Sequence, residues 1–240
     1  EYDRRWMIVD ENNCFLTQRE FPEMALIQPQ LIIEYGKLTA MAFTHKLKSN
    51  EYYRLENPEV NSGKNNVIEV EVWDDKVKAQ EINDGVNDWL SKIIGIKCKL
   101  VYMSDDINRK VDSNYAITGN EITSFSDAYP YLIIGQAALD LLNSKLEHKL
   151  NMLRFRPNLV FSGGAPHDED GWLRFTIGNI EMVAVKKCAR CPIPTIDQDN
   201  ASTGKEPLKT LATYRFQNNK VYFGQNVLIQ KTGKIKIGDE

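Results

Sequence analysis

The stretch KKCARC, residues 186–191, places two cysteines three positions apart among three cations, and a proline-rich loop follows it. Positive charge near a thiol favours the thiolate, the form that attacks electrophiles and binds soft metals. Pro192 and Pro194 favour a loop after the pair and argue against the helix start that a thioredoxin-type dithiol needs. Cys191 is therefore a candidate nucleophile or soft-metal ligand, and a dithiol switch stays open. Cys188 is also consistent with a small buried residue at a strand end.

The other cysteines and the histidines do not supply the partners of a zinc site. Structural zinc uses four ligands, commonly two close cysteine pairs or one cysteine pair with a spaced histidine pair. Cys14 and Cys98 stand alone in apolar, strand-like runs, and His45, His148 and His167 lack ligand spacing. We therefore expect no zinc site, and we expect these two cysteines to be buried small side chains.

A second polar element is the stretch RFRPNLVFSGG, residues 154–164. Arg154 and Arg156 would share one face if the chain is extended there, and Pro157 would fix the direction of Asn158. Guanidinium groups bind phosphate and other oxyanions, and the SGG turn offers backbone donors. Because a lone arginine pair is more often a surface salt bridge, this element alone does not define an anion site.

An acidic run, HDED at residues 167–170, combines side chains that hard metal ions bind. It lies between Pro166 and Gly171, which favours an exposed hairpin loop over a metal site. Trp172, directly after it, is expected to belong to the core and not to stack on a cofactor.

The composition limits the possible classes of protein. A chain of 240 residues is long enough for one large domain or two ordinary ones. A hydrophobic content of 42% and a net charge of -3 are typical of a soluble globular protein with no field that attracts nucleic acid. The apolar runs are shorter than the roughly 18 residues of a membrane helix, and no signal peptide is visible. One close pair among four cysteines favours a reducing compartment, so we expect a cytoplasmic protein. From the net charge and the short apolar runs, we expect no stable nucleic-acid partner and no membrane partner.

Hydrophobic periodicity predicts a mainly β chain with some α (α+β), arranged as two β-rich units. Short apolar runs fill the first 80 residues, including a hairpin at WMIVDENNCFLT and a strand with one wet face at VIEVEVW. Helical spacing predicts helices at DGVNDWLSKIIGI and at residues 136–146. From residue 154 onward the pattern again predicts short strands and loops. We place the two domains at residues 1–88 and 125–240, with a connecting helix and strand region over residues 89–124.

The order and spacing of several motifs resemble one family. FRPNLV, DEDGW, IGN, KKCARCPIPTID, TGKEPLKTLATYR, FGQNVLI and GKIKIGDE follow one another in the C-terminal half. This half resembles the MOSC domain, the sulfurase carboxy-terminal module of molybdenum cofactor proteins. The stretches DRRWMIVDENNCFLTQREFPEMALIQPQL and SFSDAYPYLI are similar to the β-barrel domain that precedes MOSC in the amidoxime-reducing and hydroxylaminopurine-reducing members. The resemblance covers nearly the whole chain and implies an N-terminal β-barrel-like domain followed by a MOSC β-barrel domain.

The resemblance also implies a cofactor, molybdenum-molybdopterin, and the residues that contact it. In the family a pterin dithiolene chelates molybdenum, and one protein cysteine completes the sulfur ligands. The residue that matches this catalytic metal ligand is Cys191, whereas Cys188 matches a position that is common only in this branch. The positions that match the family's contacts to the pterin and its phosphate are Arg19, Ser126, Asp127, Arg156, Asn158 and Ala189. A further family-level association is pyridoxal phosphate binding.

The activity implied by the resemblance is reduction of small N-hydroxylated molecules, with electrons supplied by a separate iron-sulfur or flavin protein. Family members begin with a strand whose Lys and Ser also contact the cofactor, and this sequence starts after the matching position. The bacterial members also continue into a plant-type iron-sulfur domain, which would follow Glu240. Two alternatives stay open: a carrier of sulfurated cofactor or cysteine-bound sulfur, and a β-barrel protein whose ancestral site has decayed.

Overall fold

The computed structural model describes residues 2–59, 62–82 and 85–240. The chain divides into two compact units: residues 1–109, 124–127 and 196–203 form the first, and residues 110–123, 128–195 and 204–240 form the second. Strands predominate in both, which confirms the predicted mainly β, α+β class. The domain limits at residues 88 and 125 stay a prediction.

The first unit consists of two antiparallel sheets, one helix and a 3-10 turn at Pro22–Leu26. Its elements are β1 (Trp6–Asp10), β2 (Ile27–Glu34), β3 (Lys37–His45), β4 (Lys48–Glu56), β5 (Ser62–Val72), β6 (Asp75–Ile82), α1 (Val86–Ile94) and β7 (Cys98–Tyr102). One sheet has the order β1-β7-β6-β5, and the other has the order β2-β3-β4. Short strands β8 (Arg109–Lys110) and β9 (Ile122–Thr123) follow along the chain.

Helix α1 confirms the predicted amphipathic pattern. Its buried residues are the five that recur at helical spacing: Val86, Trp89, Leu90, Ile93 and Ile94. The helix ends at Ile94, and the next residue, Gly95, has a φ of 87°, in the left-handed region that glycine adopts without a steric penalty. The apolar face packs in one cluster with residues of β3, β4 and β7.

The predicted turn of WMIVDENNCFLT is also present. The Asp10 carboxylate accepts hydrogen bonds from the backbone N–H groups of Asn12 and Cys14, each at 2.8 Å. Asn13 has a φ of 64°, which asparagine tolerates better than most residues. After the turn only isolated bridges form, such as Val9 with Phe15, so the second arm of the hairpin is not a full strand.

The second unit is built around one sheet of order β11-β10-β15-β13-β12, with β14 paired to β15. Its elements are β10 (Tyr131–Gly135), α2 (Gln136–Asn143), β11 (Leu159–Phe161), β12 (Arg174–Ile177), β13 (Ile180–Ala189), α3 (Leu208–Arg215), β14 (Phe216–Gln217) and β15 (Lys220–Ile229). Three 3-10 turns lie at Met152–Phe155, Asp168–Gly171 and Ile193–Thr195. Residues of α2, α3 and β15 form a shared apolar cluster around Phe155 and Phe223.

Two sequence predictions differ from the structure in this unit. The helix expected over residues 136–146 ends at Asn143. Helix α3 lies where only strands and loops were expected. It buries Leu211 alone, so its local pattern carries little amphipathic signal. Among the described residues, no helix combines the length and apolar character needed to cross a bilayer.

Candidate functional site

Arg19 is the centre of a small group in the first unit, which we call the Arg19 cluster: Arg19, Trp73 and Asp127. The guanidinium carbon of Arg19 lies 4.4 Å from the centroid of the Trp73 ring. Its Nη2 lies 3.5 Å from Oδ2 of Asp127, a carboxylate that is 73% exposed. The Phe15 ring also packs against the indole, edge to face, at 4.7 Å between ring centroids. The structure therefore brings together two predicted site residues, Arg19 and Asp127, and adds Trp73, which no sequence motif indicated.

A buried arginine holds the loop that carries Ser126 and Asp127. Arg109 is 6% exposed, and its Nε donates to the Asp75 carboxylate at 2.8 Å. Nη1 donates to the backbone carbonyl of Ser124 at 2.9 Å and to that of Ser126. Nη2 donates to the backbone carbonyl of Asp127 at 3.2 Å. One planar fork therefore fixes three carbonyl groups of a single loop.

Arg109 also restrains the turn that carries Trp73, the ring that Arg19 contacts. Asp75 opens β6, two residues after Trp73, so the same guanidinium anchors the turn that carries the indole. Ser126 is 4% exposed, consistent with a loop pulled against the body of the unit. Sequence reasoning missed Arg109 because nothing near it in the sequence indicates burial: its bonded partners lie 15 to 34 residues away.

In the second unit, Cys191 lies on a loop that leaves the end of β13, which confirms the predicted loop. Ala189 is the last residue of the strand and pairs with Tyr222 of β15. The backbone N–H of Arg190 donates to the carbonyl of Val221 at 2.8 Å, so the strand contact extends to the residue before Cys191. Cys191 is half-buried, and the turn at Ile193–Thr195 follows it. The structure describes all four cysteines, and none of them forms a disulfide bond.

The three cations near the cysteine pair contact other partners in the structure. Arg190 donates through Nη1 to the Cys188 sulfur at 3.1 Å and through Nη2 to the Phe155 carbonyl at 2.9 Å. Lys187 lies 3.1 Å from the Asp170 carboxylate. Lys186 lies over an aromatic ring, described below. The sequence predicted a general positive field around Cys191, whereas the structure directs the guanidinium to the neighbouring thiol.

Arg156 and Asn158 follow the 3-10 turn that Arg190 contacts. Arg156 is exposed and has a φ of 56°, so residues 154–156 are not extended and the expected shared face of Arg154 and Arg156 is wrong. The Asn158 side-chain oxygen accepts from the Leu132 N–H, and the Asn158 N–H donates to the Leu132 carbonyl, both at 2.9 Å. Asn158 thus holds the start of β11 against β10.

The SGG turn is occupied by a carboxylate of the protein itself. Gly163 and Gly164 have φ values of 94° and 74°, and the next N–H, that of Ala165, donates to Oδ2 of Asp168 at 2.7 Å. A Cβ at Gly164 would lie 2.3 Å from the same oxygen. A backbone donor expected for an external anion is therefore already bound to Asp168.

The acidic run is not the exposed hairpin loop that the sequence predicted. Glu169 has 0% exposure, and its Oε1 accepts a hydrogen bond of 3.4 Å from the Gly135 N–H. The Asp170 side chain is 15% exposed, and Oδ2 accepts from Lys187 at 3.1 Å and from Arg215 at 2.7 Å. The expectation failed because Asp170 pairs with cations that lie 17 and 45 residues further along the chain, and Glu169 binds the N–H of Gly135, 34 residues before it. Within the described residues, no group of three or more His, Cys, Asp or Glu side chains could hold a metal ion.

His167 lies at the start of the same run, against aromatic side chains. Its ring is 6.0 Å from Tyr214 and 5.7 Å from Phe223, between centroids. Burial, assisted by the nearby Arg215 cation, lowers the pKa of His167 to about 4, and the Asp170 charge opposes this shift. His167 is therefore neutral at physiological pH. Burial also raises the pKa of Glu169. Trp172 packs against Phe161 and Phe175 at 4.6 and 4.8 Å, which confirms its predicted place in the core.

Comparison with known protein families decides what this chain is. Residues 120–240 match the MOSC domain, and residues 1–97 match the MOSC N-terminal beta barrel domain. The chain belongs to the MOSC family. The MOSC match begins before β10 and covers every element of the second unit's main sheet, including the loop of Cys191. The family is associated with the molybdenum cofactor.

The relatives of this MOSC protein include amidoxime-reducing components and molybdenum cofactor sulfurases. Mitochondrial amidoxime-reducing component 1 of Mus musculus is 29% identical over 250 residues, covering 99% of this chain and 71% of the relative. The Homo sapiens protein of the same name shows the same identity and coverage. Molybdenum cofactor sulfurase of Oryza sativa is 32% identical over 240 residues, covering 93% of this chain but only 28% of the relative.

The side chains of this MOSC protein fit the chemistry of a molybdenum cofactor. Cys191 offers a half-buried thiol, the donor type that soft metals prefer. Arg156 is exposed one residue beyond the Arg190-bound Phe155. The Nε of Arg190 is buried and has no hydrogen-bond partner among the described residues, so this unit retains a donor for a further acceptor.

Proposed function

We propose that this protein is a molybdenum cofactor-dependent reductase of small N-hydroxylated compounds. The observation that carries the proposal is the position of Cys191. It lies on a loop held by the strand bond of Arg190 to Val221, next to an arginine with one unused buried donor. Membership of the MOSC family and the names of the amidoxime-reducing relatives support the same assignment.

Each candidate residue has a definite proposed role. Cys191 would provide the thiolate ligand, and when bound the cofactor would supply a two-electron redox centre beside it. Arg19 and Arg156 would bind the phosphate of the cofactor through their guanidinium groups. Ser126, Asp127, Asn158 and Ala189 would line the pterin, with hydroxyl, carboxylate and carboxamide groups available for its polar edges.

The proposed reaction cleaves the N–O bond of an N-hydroxylated substrate. Two electrons and two protons are consumed, the oxygen leaves as water, and the nitrogen remains on the product as an amine or amidine. The electrons would come from a separate iron-sulfur or flavin protein, the partner class that we propose. Because the substrate is a small molecule, the shape and charge of the surface around Cys191 set its selectivity.

The test compares two variants of the same cysteine pair. Cys191→Ser should lose molybdenum and reduction of benzamidoxime by a chemical electron donor, whereas Cys188→Ser should retain metal near the wild-type level. Metal would be measured by elemental analysis of full-length protein from a host that makes the cofactor, and thermal melts would confirm folding. Undiminished metal and activity in folded Cys191→Ser would refute the ligand role.

A carrier function is the second candidate, favoured by the similarity of 93% of this chain to part of a molybdenum cofactor sulfurase. A carrier would bind the cofactor or cysteine-bound sulfur and transfer it without reducing a substrate. Single-turnover measurement separates the two functions, since a pre-reduced reductase converts about one equivalent of benzamidoxime and a carrier converts none.

A further inference from the structure

A cavity of about 300 Å³ opens in the second unit, at the end of β13. Eight residues line it: Tyr115, Lys186, Lys187, Ala189, Gln217, Asn218, Lys220 and Tyr222. Three are lysines and none is acidic, although the whole chain has a net charge of -3. We call this feature the lysine cavity. Its local charge is opposite in sign to that of the protein.

The charges of the three lysines are not equally available. Lys187 is offset by the Asp170 carboxylate at 3.1 Å. Lys186 and Lys220 form no ion pair within the part of the chain that the structure describes. Among the described residues, the ammonium groups of Lys186 and Lys220 therefore have no carboxylate partner, which is the arrangement that attracts a small anion.

An aromatic contact positions the ammonium group of Lys186, whereas a tight turn positions the backbone of Lys220, whose side chain is exposed. The Nζ of Lys186 lies 4.1 Å from the ring centroid of Tyr115 and 6.0 Å from that of Tyr129, and the two rings meet edge to face at 5.8 Å. Such cation-π contacts restrict a flexible ammonium group. Lys220 begins β15 after a tight turn in which Asn218 and Asn219 both have positive φ, as a type I′ hairpin requires.

The lysine cavity lies at the end of β13, the strand that leads into the loop of Cys191, and Cys191 itself does not line it. Ala189 lines it and lies two residues before Cys191, and Tyr222, its strand partner, lines it as well. Aromatic and amide side chains complete the wall, so a planar ring can pack on tyrosine while an anionic group meets an ammonium.

We propose that the lysine cavity binds the carboxylate or phosphate of a planar aromatic substrate and orients its N–O group toward Cys191. The inference rests on the proposed function and deepens it, because it names anionic aromatic N-hydroxylated compounds as the favoured substrate class. Lys186 and Lys220 set this selectivity, because their ammonium groups strengthen the binding of anionic substrates and not that of neutral ones.

The first measurement is direct binding of a non-reacting pair, 4-carboxybenzamide and benzamide, by calorimetry on the protein as isolated. The charged compound should bind roughly tenfold more tightly, and the Lys186→Gln/Lys220→Gln double variant should remove that advantage. Raising the salt concentration should reduce it, since the ammonium groups are partly exposed. Lys209→Gln, an exposed lysine of α3 outside the lysine cavity, is the matched control.

The second measurement is turnover of 4-carboxybenzamidoxime and benzamidoxime with a chemical electron donor. The double variant should raise the KM ratio of the charged to the neutral substrate roughly tenfold, and Lys209→Gln should not change it. Equal binding of the two amides, or no change in the double variant, overturns the proposal. A loss of molybdenum content in the double variant also overturns it, because the cavity would then bind the cofactor's own phosphate. If the wild type reduces neither amidoxime, the proposed function fails, whereas the binding data still decide whether the anion site exists.

Discussion

The two units treat their buried polar groups differently. In the first unit, Arg109 is 6% exposed and each of its guanidinium nitrogens donates to an oxygen of the same unit. Among the described residues, its only buried side-chain polar atom without a hydrogen-bond partner is Nε1 of Trp89. The second unit leaves such atoms on His167, Glu169, Asp170, Arg190, Tyr214 and Gln225.

This difference indicates where the molecule has capacity for something beyond its own chain. A buried polar group without a partner costs about 1–3 kcal/mol, so native structures keep few of them. In the first unit, the hydrogen bonds of Arg109 hold the loop and the turn that carry the Arg19 cluster. In the second unit, the Nε of Arg190 lies beside Cys191 in the sequence, where a bound ligand could accept its hydrogen bond, and ordered water is the usual partner of the other buried atoms.

The largest expected effect concerns the hydrogen bonds of Arg109 in the first unit. Arg109→Ala should lower the free energy of unfolding by about 3 kcal/mol, because it leaves three loop carbonyls and the Asp75 carboxylate without their donor. Urea unfolding measures this loss, and hydrogen exchange should increase over residues 124–127. Arg54→Ala, which removes an exposed arginine of β4, should change stability by less than about 0.5 kcal/mol. If Arg109→Ala lowers the free energy of unfolding by less than about 1 kcal/mol, the hydrogen bonds of Arg109 are not needed for stability.

The next effect concerns the unsatisfied histidine of the second unit. The pKa of His167 is about 4 in the fold and about 6.5 in the unfolded chain, so between these values the unfolded state binds more protons. Stability should therefore fall as the pH is lowered from 7 toward 4, by about 2 kcal/mol from this residue. Glu169 acts with the opposite sign, because its raised pKa favours protonation in the fold as pH falls.

The pH effect is isolated by comparing variants. His167→Gln should flatten the stability profile between pH 7 and 4 relative to wild type, while His148→Gln, an exposed position, should leave the profile unchanged. Parallel profiles for wild type and His167→Gln in urea unfolding would contradict the burial of a neutral imidazole.

A smaller effect is expected at Arg190. Arg190→Leu should lower the free energy of unfolding by about 1 kcal/mol, because it removes the hydrogen bond to the Phe155 carbonyl. The loss is small because the substitution also removes a buried Nε that has no partner among the described residues. It should also slow alkylation of Cys188 by iodoacetamide, since the guanidinium 3.1 Å from the sulfur favours the thiolate. Mass spectrometry of the modified peptides measures the rate, with Arg190→Lys expected to be intermediate. Equal rates in wild type and Arg190→Leu would mean that the contact does not activate Cys188.

The smallest effect is expected in the Arg19 cluster. A double-mutant cycle with Arg19→Gln and Asp127→Asn should give a coupling energy below about 1 kcal/mol, because Asp127 is 73% exposed and solvent screens the pair. Arg19 is then available for a ligand anion at little cost to the fold. A coupling above about 2 kcal/mol in urea unfolding would instead make the pair structural.

Local patterns predicted those parts of the fold that depend on nearest neighbours in the sequence. The helical spacing of Trp89 and Ile93 identified the buried face of α1, and the prolines after Cys191 identified its loop. The run VIEVEVW was predicted to be a strand with one wet face, and its first residue, Val67, is 52% exposed because it lies three positions before the buried Val70 and so on the opposite face. Which site residues serve the cofactor stays a prediction, and Arg19 with Asp127 is the predicted pair that the structure places in contact.

The sequence by itself determined the mainly β class, the face of α1, the loop of Cys191 and, through motif order, membership of the MOSC family. Only the tertiary structure decided that Arg109 clamps the loop of Ser126, that Glu169 is buried, and that Lys186 lies over Tyr115. The physical reason is range. Hydrophobic periodicity is set by residues one to four positions apart, whereas a charged side chain finds partners tens of residues away that only the folded chain brings within hydrogen-bond distance.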